Sequence, residues 1–204
     1  ILPNLKITIT GASSLKNINN SNFEQIDSRN SQISGIKGKA SKYNESYIEN
    51  VFETLAYYDY DWKRHEFKLM GGYSFIENET SSSYLSNSNF LTNAFGADNI
   101  GAGSFLNDGR ASMESSREKS RLVAFFGRFN YSYKSRYLFN ASLRREGASV
   151  FGINNKWGWF PAVSAGWRIS DEDFFKSIVW INQLKLRVGY GVTGRSQGIP
   201  LYQS

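Results

Sequence analysis

The chain has 204 residues, a mass of 23.2 kDa, no cysteine and a formal net charge of +6 at pH 7. The lack of cysteine excludes disulfides, thiol catalysis and thiolate metal sites. The basic residues recur mostly singly and form no dense stripe, so the charge does not indicate a nucleic-acid partner. The longest apolar run, Leu122 to Phe126, is far shorter than the roughly 20 residues of a membrane helix. Because the start at Ile1 lacks both Met and a signal-peptide pattern, we expect the chain to be a fragment.

Seven strands are predicted from apolar and polar residues that alternate with a period of two. In chain order they span residues 4–11, 46–58, 65–77, 119–133, 136–146, 159–169 and 180–192. The connections alternate in length: those at 59–64, 134–135 and 170–179 are short, those at 12–45 and 78–118 are long, and that at 147–158 is intermediate. The long ones are rich in Ser, Asn and Gly and are predicted as loops. A transmembrane barrel made of hairpins has this alternation, with its longer loops outside the cell.

Alternation along the first three strands is uneven. In the first strand Leu5 and Ile7 alternate with Lys6, and the third strand alternates in the same way. Successive side chains point to opposite faces, so each of these strands has one apolar face. The second strand differs because Glu49 and Glu53 share a face with apolar residues, and its register stays open.

The four later strands alternate clearly, so each has an apolar face and a polar face. In the fourth strand, Phe129 and Tyr131 oppose Arg128 and Asn130. We predict an all-β, antiparallel, up-and-down transmembrane sheet of about seven strands, with its apolar face toward membrane lipid and its polar face toward the lumen of a larger barrel. The candidate lumen-facing residues are Arg128, Asn130, Arg144, Arg168, Lys185 and Arg187.

Strand length and aromatic placement support a membrane location. Strands of about 10 to 12 residues, tilted near 45°, rise about 25 Å, which matches the apolar band of an outer membrane. Aromatic residues collect beside the short turns, where amphipathic Tyr and Trp rings suit a membrane boundary. We therefore expect an aromatic girdle on the periplasmic side, formed by Tyr57, Tyr58, Tyr60, Trp62, Tyr131, Tyr133, Tyr137, Trp167 and Trp180.

One short periplasmic helix is predicted at residues 171–177, between the last two strands. Ser170 is placed to cap its N-terminus, and Asp173 lies where a capping-box acid would reach back. The acidic first turn suits the positive end of the helix dipole. We interpret these residues as helix stabilisers without a chemical role.

Motifs with possible chemistry lack the context that their chemistry needs. The pattern G-x-G-x-x-G at Gly189, Gly191 and Gly194 follows a strand, but residues 195–200 contain Gly and Pro in place of the helix that a dinucleotide site requires. Glycines in a barrel strand are better explained as relief of crowding.

His65, the only histidine, has no G-x-S-x-G partner and is interpreted as a polar ring at the membrane boundary. We predict no enzymatic activity, no cofactor and no metal site.

Three segments carry a resemblance to a known family: GRFNYSYKSRYLFNASLRREGASVFG from Gly127, NKWGWFPAVSAGWRIS from Asn155 and LKLRVGYGVTG from Leu184. In order and spacing they resemble the middle of the barrel domain of the SusC/RagA family, the TonB-dependent outer-membrane transporters of Bacteroidetes. The weaker segment TLAYYDYDWKRHEFKLMGGYSF from Thr54 is similar to the preceding hairpin. The resemblance makes residues 1–204 a partial TonB-dependent receptor barrel domain without the plug, the TonB box and the remaining strands.

The resemblance also implies a function for the parent protein. Members of this family are 22-stranded barrels of the outer membrane with an N-terminal plug, and they are energised through TonB beneath a SusD-like lipoprotein. Their typical cargo is an oligosaccharide and less often a peptide. The long loops are the expected place of substrate contact, with Tyr84, Phe90 and Phe95 as candidate sugar-stacking rings.

Two other interpretations stay open. A passive porin or an adhesion-type barrel would share the strand pattern, and the absence of a plug would distinguish it from an active transporter. A soluble carbohydrate-binding β protein would have to expose continuous apolar bands to water, which water-soluble proteins rarely do. The active importer is the interpretation that the resemblance favours.

Overall fold

The computed structural model describes residues 4–151, 156–175, 177–178 and 180–194. Within them, seven strands form one sheet in chain order, so each strand pairs with its neighbours in sequence. The strands are β1 (Leu5–Glu24), β2 (Lys39–Trp62), β3 (His65–Ser88), β4 (Ser112–Tyr133), β5 (Tyr137–Ala148), β6 (Trp157–Arg168) and β7 (Lys185–Gly191). This is the up-and-down arrangement expected from the sequence, and it confirms the predicted fold class.

The first four strands are longer than predicted, at 20 to 24 residues each. Large parts of the segments expected as long loops are strand, and only residues 25–38 and 89–111 connect the strands there. That part of the prediction was wrong because the Ser- and Asn-rich extensions show no apolar alternation. The extensions are joined by polar contacts between strands instead of apolar ones; for example, the hydroxyl oxygens of Ser82 and Ser116 lie 2.8 Å apart.

The chain divides into two compact units. The first consists of Ile1–Ala12, Asn50–Glu77 and Ser120–Ser204, and the second consists of Ser13–Glu49 and Asn78–Lys119. The first unit holds β5 to β7, the start of β1 and the parts of β2, β3 and β4 next to the short turns. The second unit holds the two long connections.

Short turns join β2 to β3 and β4 to β5 in the first unit. Lys63, Lys134 and Ser135 have φ angles of 56°, 51° and 54°. This left-handed conformation is the one that tight hairpin turns with the right twist require. The backbone N–H of Lys134 donates a hydrogen bond of 2.8 Å to the carbonyl of Arg64. The two turns therefore lie side by side.

The connection between β6 and β7 forms two 3-10 turns, Ile169–Asp171 and Asp173–Phe175, in place of the one helix expected at 171–177. Ser170 does not cap a helix, because it lies inside the first of these turns, and its hydroxyl donates to the Asp171 carboxylate at 3.3 Å. Residue 176 of the predicted helix lies outside the described residues. Among the residues that the structure describes, none of the helices has the length and apolar character needed to cross a membrane.

The last strand approaches β6 closely through its glycines. A Cβ atom on Gly189 would lie 3.1 Å from the Cβ of Ser164, and one on Gly191 would lie 3.2 Å from the Cβ of Ala162. These glycines therefore relieve crowding between two strands, as the sequence suggested. The segment 195–200, where a nucleotide site would need its helix, lies outside the described residues.

Specific contacts hold the long connections of the second unit. The helix α1 (Arg29–Ser34) begins after Ser28, whose hydroxyl accepts a hydrogen bond of 3.0 Å from the N–H of Ser31. Phe23, near the end of β1, packs edge-on against Phe90, with ring centroids 5.5 Å apart. The ends of the long strands thus carry a small packed core of their own.

Two neighbouring glycines of β3 provide a matched test of packing in the first unit. A Cβ atom on Gly72 would lie 2.5 Å from the ring of Phe126 and 2.8 Å from Leu55, whereas one on Gly71 would meet nothing within 4 Å. We expect Gly72→Ala to lower the free energy of unfolding by about 1–3 kcal/mol because overpacking displaces its neighbours. Gly71→Ala should be neutral or slightly stabilising. Urea unfolding of the full-length protein measures both, and equal losses would contradict the packing described.

Candidate functional site

Backbone pairing gathers apolar side chains of β4 to β7 on one face of the first unit. Phe129 pairs with Ala141, Ala141 with Val163, and Val163 with Tyr190. Side chains of directly paired residues project to the same face, so this row is continuous across four strands. Val163 is 43% exposed and Tyr190 is 71% exposed. An uncovered apolar face of this extent suits lipid rather than water, and we call it the outward face.

Aromatic rings run in a row beside the short turns. Successive ring centroids lie 4.7 to 6.5 Å apart, and the rings come from β2 to β6 and the following 3-10 turn. In order they are Trp62, His65, Tyr133, Tyr137, Trp167 and Phe174. A belt of this kind marks the boundary of a membrane-spanning surface. We call it the turn-side girdle, and four of its rings belong to the girdle predicted from the sequence.

His65 takes part in this girdle as a ring. Its Nδ1 atom lies 2.9 Å from the hydroxyl oxygen of Tyr131. Its imidazole stacks on Trp62 with centroids 5.4 Å apart and lies 4.7 Å from the ring of Tyr133. These contacts give the histidine the boundary position expected from the sequence.

A second aromatic cluster, which the sequence analysis missed, lies at the other end of the outward face. The Arg145 guanidinium lies 4.7 Å from the ring centroid of Trp157 and 5.2 Å from that of Trp159. Phe125 adds a ring 6.4 Å from Trp157. We call Phe125, Trp157 and Trp159 the loop-side girdle. Its signal in the sequence is a pair of tryptophans, Trp157 and Trp159, that precede Trp167 by ten and eight residues and share its parity along the strand.

The distance between the two girdles matches the thickness of an outer-membrane apolar band. Trp157 and Trp167 mark the two ends of β6, and both point outward. The ten-residue step between them corresponds to about 34 Å of strand, and a tilt of about 40–45° reduces this to about 25 Å. The outward residues of β6 between them are Trp159, Pro161, Val163 and Ala165. This uncharged stretch, closed by tryptophan at both ends, is a membrane-spanning surface.

The opposite face of the same strands brings together the six residues predicted to line a lumen. The pairs are Arg128 with Ser142, Asn130 with Asn140, Arg144 with Phe160, Gly166 with Arg187 and Arg168 with Lys185. Each pair alternates with an outward pair, so all six side chains share one face, which we call the inward face. A cavity of about 350 Å³ lies there, and its lining includes Lys68, Asn130, Asn140, Ser164, Lys185 and Arg187.

Two of the six residues already have charged partners. Arg144 forms a salt bridge of 2.6 Å with Glu146, and its guanidinium lies 5.5 Å from the ring centroid of Phe126. Arg168 lies 3.9 Å from the Asp171 carboxylate. Within the described ranges, the other three cations among the six form no ion pair; these are Arg128, Lys185 and Arg187.

Glu172, in the connection between β6 and β7, ties the turn-side girdle to the neighbouring hairpin. Its carboxylate accepts hydrogen bonds of 2.7 Å from the Tyr137 hydroxyl, 3.1 Å from the Trp167 indole and 3.0 Å from the Arg136 guanidinium. The hydrogen bonds from Tyr137 and Trp167, and then the charge of Arg136, hold the pKa of Glu172 below its ordinary value. We call Glu172 with its three donors the girdle clamp.

The three rings predicted to stack on substrate lie in different settings in the second unit. Tyr84 belongs to β3 and not to a loop, because that strand continues to Ser88. Phe90 is only 3% exposed and packs against Phe23, so its ring is not free to stack on a sugar and that assignment was wrong. Phe95 is 62% exposed and stays a candidate.

Comparison with known proteins decides the family. The sequence profile of the family described as "TonB dependent receptor-like, beta-barrel" matches residues 4–204. The chain belongs to this family. As part of a TonB-dependent receptor, it lies in the outer membrane.

The chain is similar in sequence to three curated TonB-dependent receptors. It is 51% identical over 76 residues to TonB-dependent receptor P39 of Formosa agariphila, a match that covers 37% of this chain and 7% of that protein. It is 46% identical over 77 residues to TonB-dependent receptor SusC of Bacteroides thetaiotaomicron, covering 38% and 8%. A longer match to TonB-dependent receptor P3 of F. agariphila is 32% identical over 162 residues, covering 78% and 16%. The chain therefore spans only a small part of the length of these relatives.

Solved structures show the same architecture. The RagAB peptide transporter superposes with a TM-score of 0.86 at 21% identity, covering 96% of this chain and 21% of that chain. The RagAB peptide importer in its "open-open" state gives a TM-score of 0.82 with the same coverage. At this identity the likeness concerns the fold, and it shows this receptor chain to be a segment of a larger barrel wall.

Proposed function

We propose that the chain is part of the wall of a TonB-dependent outer-membrane importer of nutrients. The observation that carries this proposal is the match of the receptor barrel family across residues 4–204. Oligosaccharides are the proposed main cargo, with peptides as the second class, since RagAB is described as a peptide transporter. A SusD-like lipoprotein is the proposed partner at the cell surface, and TonB would act through a part of the protein that is not in this chain.

The chemistry of the inward face supports a hydroxyl-rich cargo. Asn130, Asn140 and Ser164 line the cavity there, and the Asn140 amide donates a hydrogen bond of 3.2 Å to the Ser164 hydroxyl. Amide and hydroxyl groups both donate and accept hydrogen bonds, as sugar hydroxyls do. We therefore propose that the six inward residues face the lumen, and that Arg128, Lys185 and Arg187 are the cations available to polar cargo.

The exposed rings of the second unit extend this proposal. Phe95 presents its ring to the surroundings, and we keep it as a site for stacking against a sugar face. Tyr84 lies on β3 as a partly exposed ring and is the second such candidate. Phe90 is left out because it is buried.

The proposal is tested by uptake in cells that carry or lack the full-length gene. Labelled oligosaccharides and labelled oligopeptides are offered separately, each with and without an uncoupler of the proton-motive force. We expect gene-dependent oligosaccharide uptake that the uncoupler reduces to the level of cells lacking the gene. Uptake that resists the uncoupler would instead identify a passive porin, and no gene-dependent uptake would favour an adhesion barrel. Uptake of peptides alone would overturn only the cargo class.

A further inference from the structure

Arg145 places a positive charge on the outward face. It pairs with Phe125 on one side and with Trp159 on the other, and both of these rings point outward. In the described parts of β4 to β7, every other outward residue between the two girdles is apolar or aromatic. A charge on the lipid-facing side of a barrel is costly at the membrane midplane and tolerated near the boundary. Arg145 lies beside the loop-side girdle, where a charge is tolerated and can bind an anionic group.

Aromatic rings hold the Arg145 guanidinium in place. It lies 4.7 Å from the centroid of Trp157 and 5.2 Å from that of Trp159. Both tryptophans are about half exposed, at 45% and 55%, and Arg145 itself is exposed. Contact with ring faces orients a guanidinium without using its in-plane N–H groups, which can still donate to an acceptor.

Arg121 is another cation on the outward face of the same unit, and it forms an ion pair. It lies on the face of β4 that carries Phe125, and its Nε atom is 2.6 Å from a Glu77 carboxylate oxygen. Arg145 forms neither an ion pair nor a hydrogen bond with a side chain in the described ranges of the chain. An anionic group of the surrounding membrane can therefore serve as its counter-anion.

We propose that Arg145, Trp157 and Trp159 bind the phosphate group of a phosphorylated glycolipid in the outer leaflet, of the lipid A type. Arginine presents a planar fork of donors that matches phosphate oxygens in a bidentate way. Tryptophans at a membrane boundary lie at headgroup level, which sets the phosphate beside the guanidinium. The site lies at the end of β5 and β6 opposite the short β2–β3 and β4–β5 turns. Short turns face the periplasm in outer-membrane barrels, so this end faces the cell exterior. The acyl chains would continue along the apolar outward face toward Leu143.

The test measures lipid retention by the full-length receptor. Wild type, Arg145→Gln and Arg128→Gln are placed in nanodiscs of phosphatidylethanolamine with phosphorylated lipid A as the minor component. Arg128→Gln is the matched control, because it removes the same charge from the inward face of the adjoining strand. After transfer to a mild detergent, native mass spectrometry counts the lipid A molecules that stay bound. A parallel series uses dephosphorylated lipid A.

Wild type and Arg128→Gln should retain phosphorylated lipid A, whereas Arg145→Gln should retain about tenfold less because the charge-assisted hydrogen bonds are lost. All three should retain dephosphorylated lipid A poorly. Equal retention by Arg145→Gln, or equal retention of the two lipids by wild type, would overturn the proposal. Arg145→Lys keeps the charge without the fork and should give intermediate retention, which also provides a reading if Arg145→Gln fails to fold. Full retention by the lysine variant would overturn the bidentate site.

Discussion

Val163→Arg in the full-length receptor should lower the free energy of unfolding by about 2–4 kcal/mol, which is the cost of an arginine near the midplane on the lipid face of a barrel. Val163 lies on β6 between Trp157 and Trp167, somewhat closer to the latter, and it is 43% exposed on the outward face. No acid lies on this part of the outward face of β6 to pair with the new charge. The effect should therefore exceed that of a charge placed at either end of this strand, beside the girdles.

Ser164→Arg is the matched control for this prediction. Ser164 is the next residue along β6, and its pairing with Asn140 and Gly189 places it on the inward face. A charge there meets the polar side of the barrel wall and should change stability little. Both variants are measured by urea unfolding in lipid vesicles, with the folded fraction read from gel mobility without heating. Similar losses in the two variants would mean that the two faces are wrongly assigned.

Glu172→Gln should lower the midpoint of urea unfolding because it weakens the girdle clamp. Glutamine keeps the shape of the side chain but loses the charge that three donors share, those of Tyr137, Trp167 and Arg136. Hydrogen bonds to a charged acceptor are stronger than those to a neutral one. The clamp joins the start of β5 to the end of β6, so its loss should loosen the turn side of the sheet.

The same substitution has a defined pH dependence. The pKa of Glu172 in the folded protein is lowered from its ordinary value of 4.5, first by the hydrogen bond from Tyr137 and then by that from Trp167. A group whose pKa is lowered on folding stabilises the protein above the unfolded pKa, and that stabilisation is lost as the pH falls through the folded pKa. The difference between wild type and Glu172→Gln should thus be complete at neutral pH and should shrink as the pH falls below about 4.5.

Asp171→Asn is the control for both parts of this prediction. Asp171 neighbours Glu172 and lies 3.9 Å from Arg168, with 43% of its side chain exposed. Pairs of this kind contribute little because solvent screens them. The unfolding midpoint of Asp171→Asn should stay near that of wild type at every pH tested. A Glu172→Gln midpoint that matched Asp171→Asn would remove the argument for the clamp.

The alternation of the later strands was sufficient to predict the faces of the sheet. Arg128, Arg187 and their companions share one face in the structure because each strand alternates with a period of two and the register aligns the apolar residues of neighbouring strands. The turn-side girdle followed from the same periodicity, since Tyr133 and Tyr137 flank a turn of three residues. These features depend on short-range order along the chain.

The strand extensions and the burial of Phe90 could not be predicted from the periodicity of the sequence. Ser81 to Ser88 reads as a loop by composition, yet it continues β3 because the neighbouring strand supplies hydrogen bonds that the segment alone cannot form. Phe90 looked like an exposed loop ring until Phe23, distant in sequence, was found against it. A polar segment can form a strand or a loop, and an aromatic ring in a loop can be buried or exposed. In both cases the residues that pack against it decide which of the two occurs.

The sequence by itself determined the alternating faces, the order of the strands, four rings of the turn-side girdle and the resemblance to TonB-dependent receptors, because each is encoded in periodicity or in contiguous motifs. The tertiary structure alone decided the girdle clamp and the setting of Arg145. Glu172 meets Tyr137 from 35 residues away, and Arg145 meets Trp157 across a strand pair. Such contacts depend on register and on the course of a connection, which no local pattern specifies.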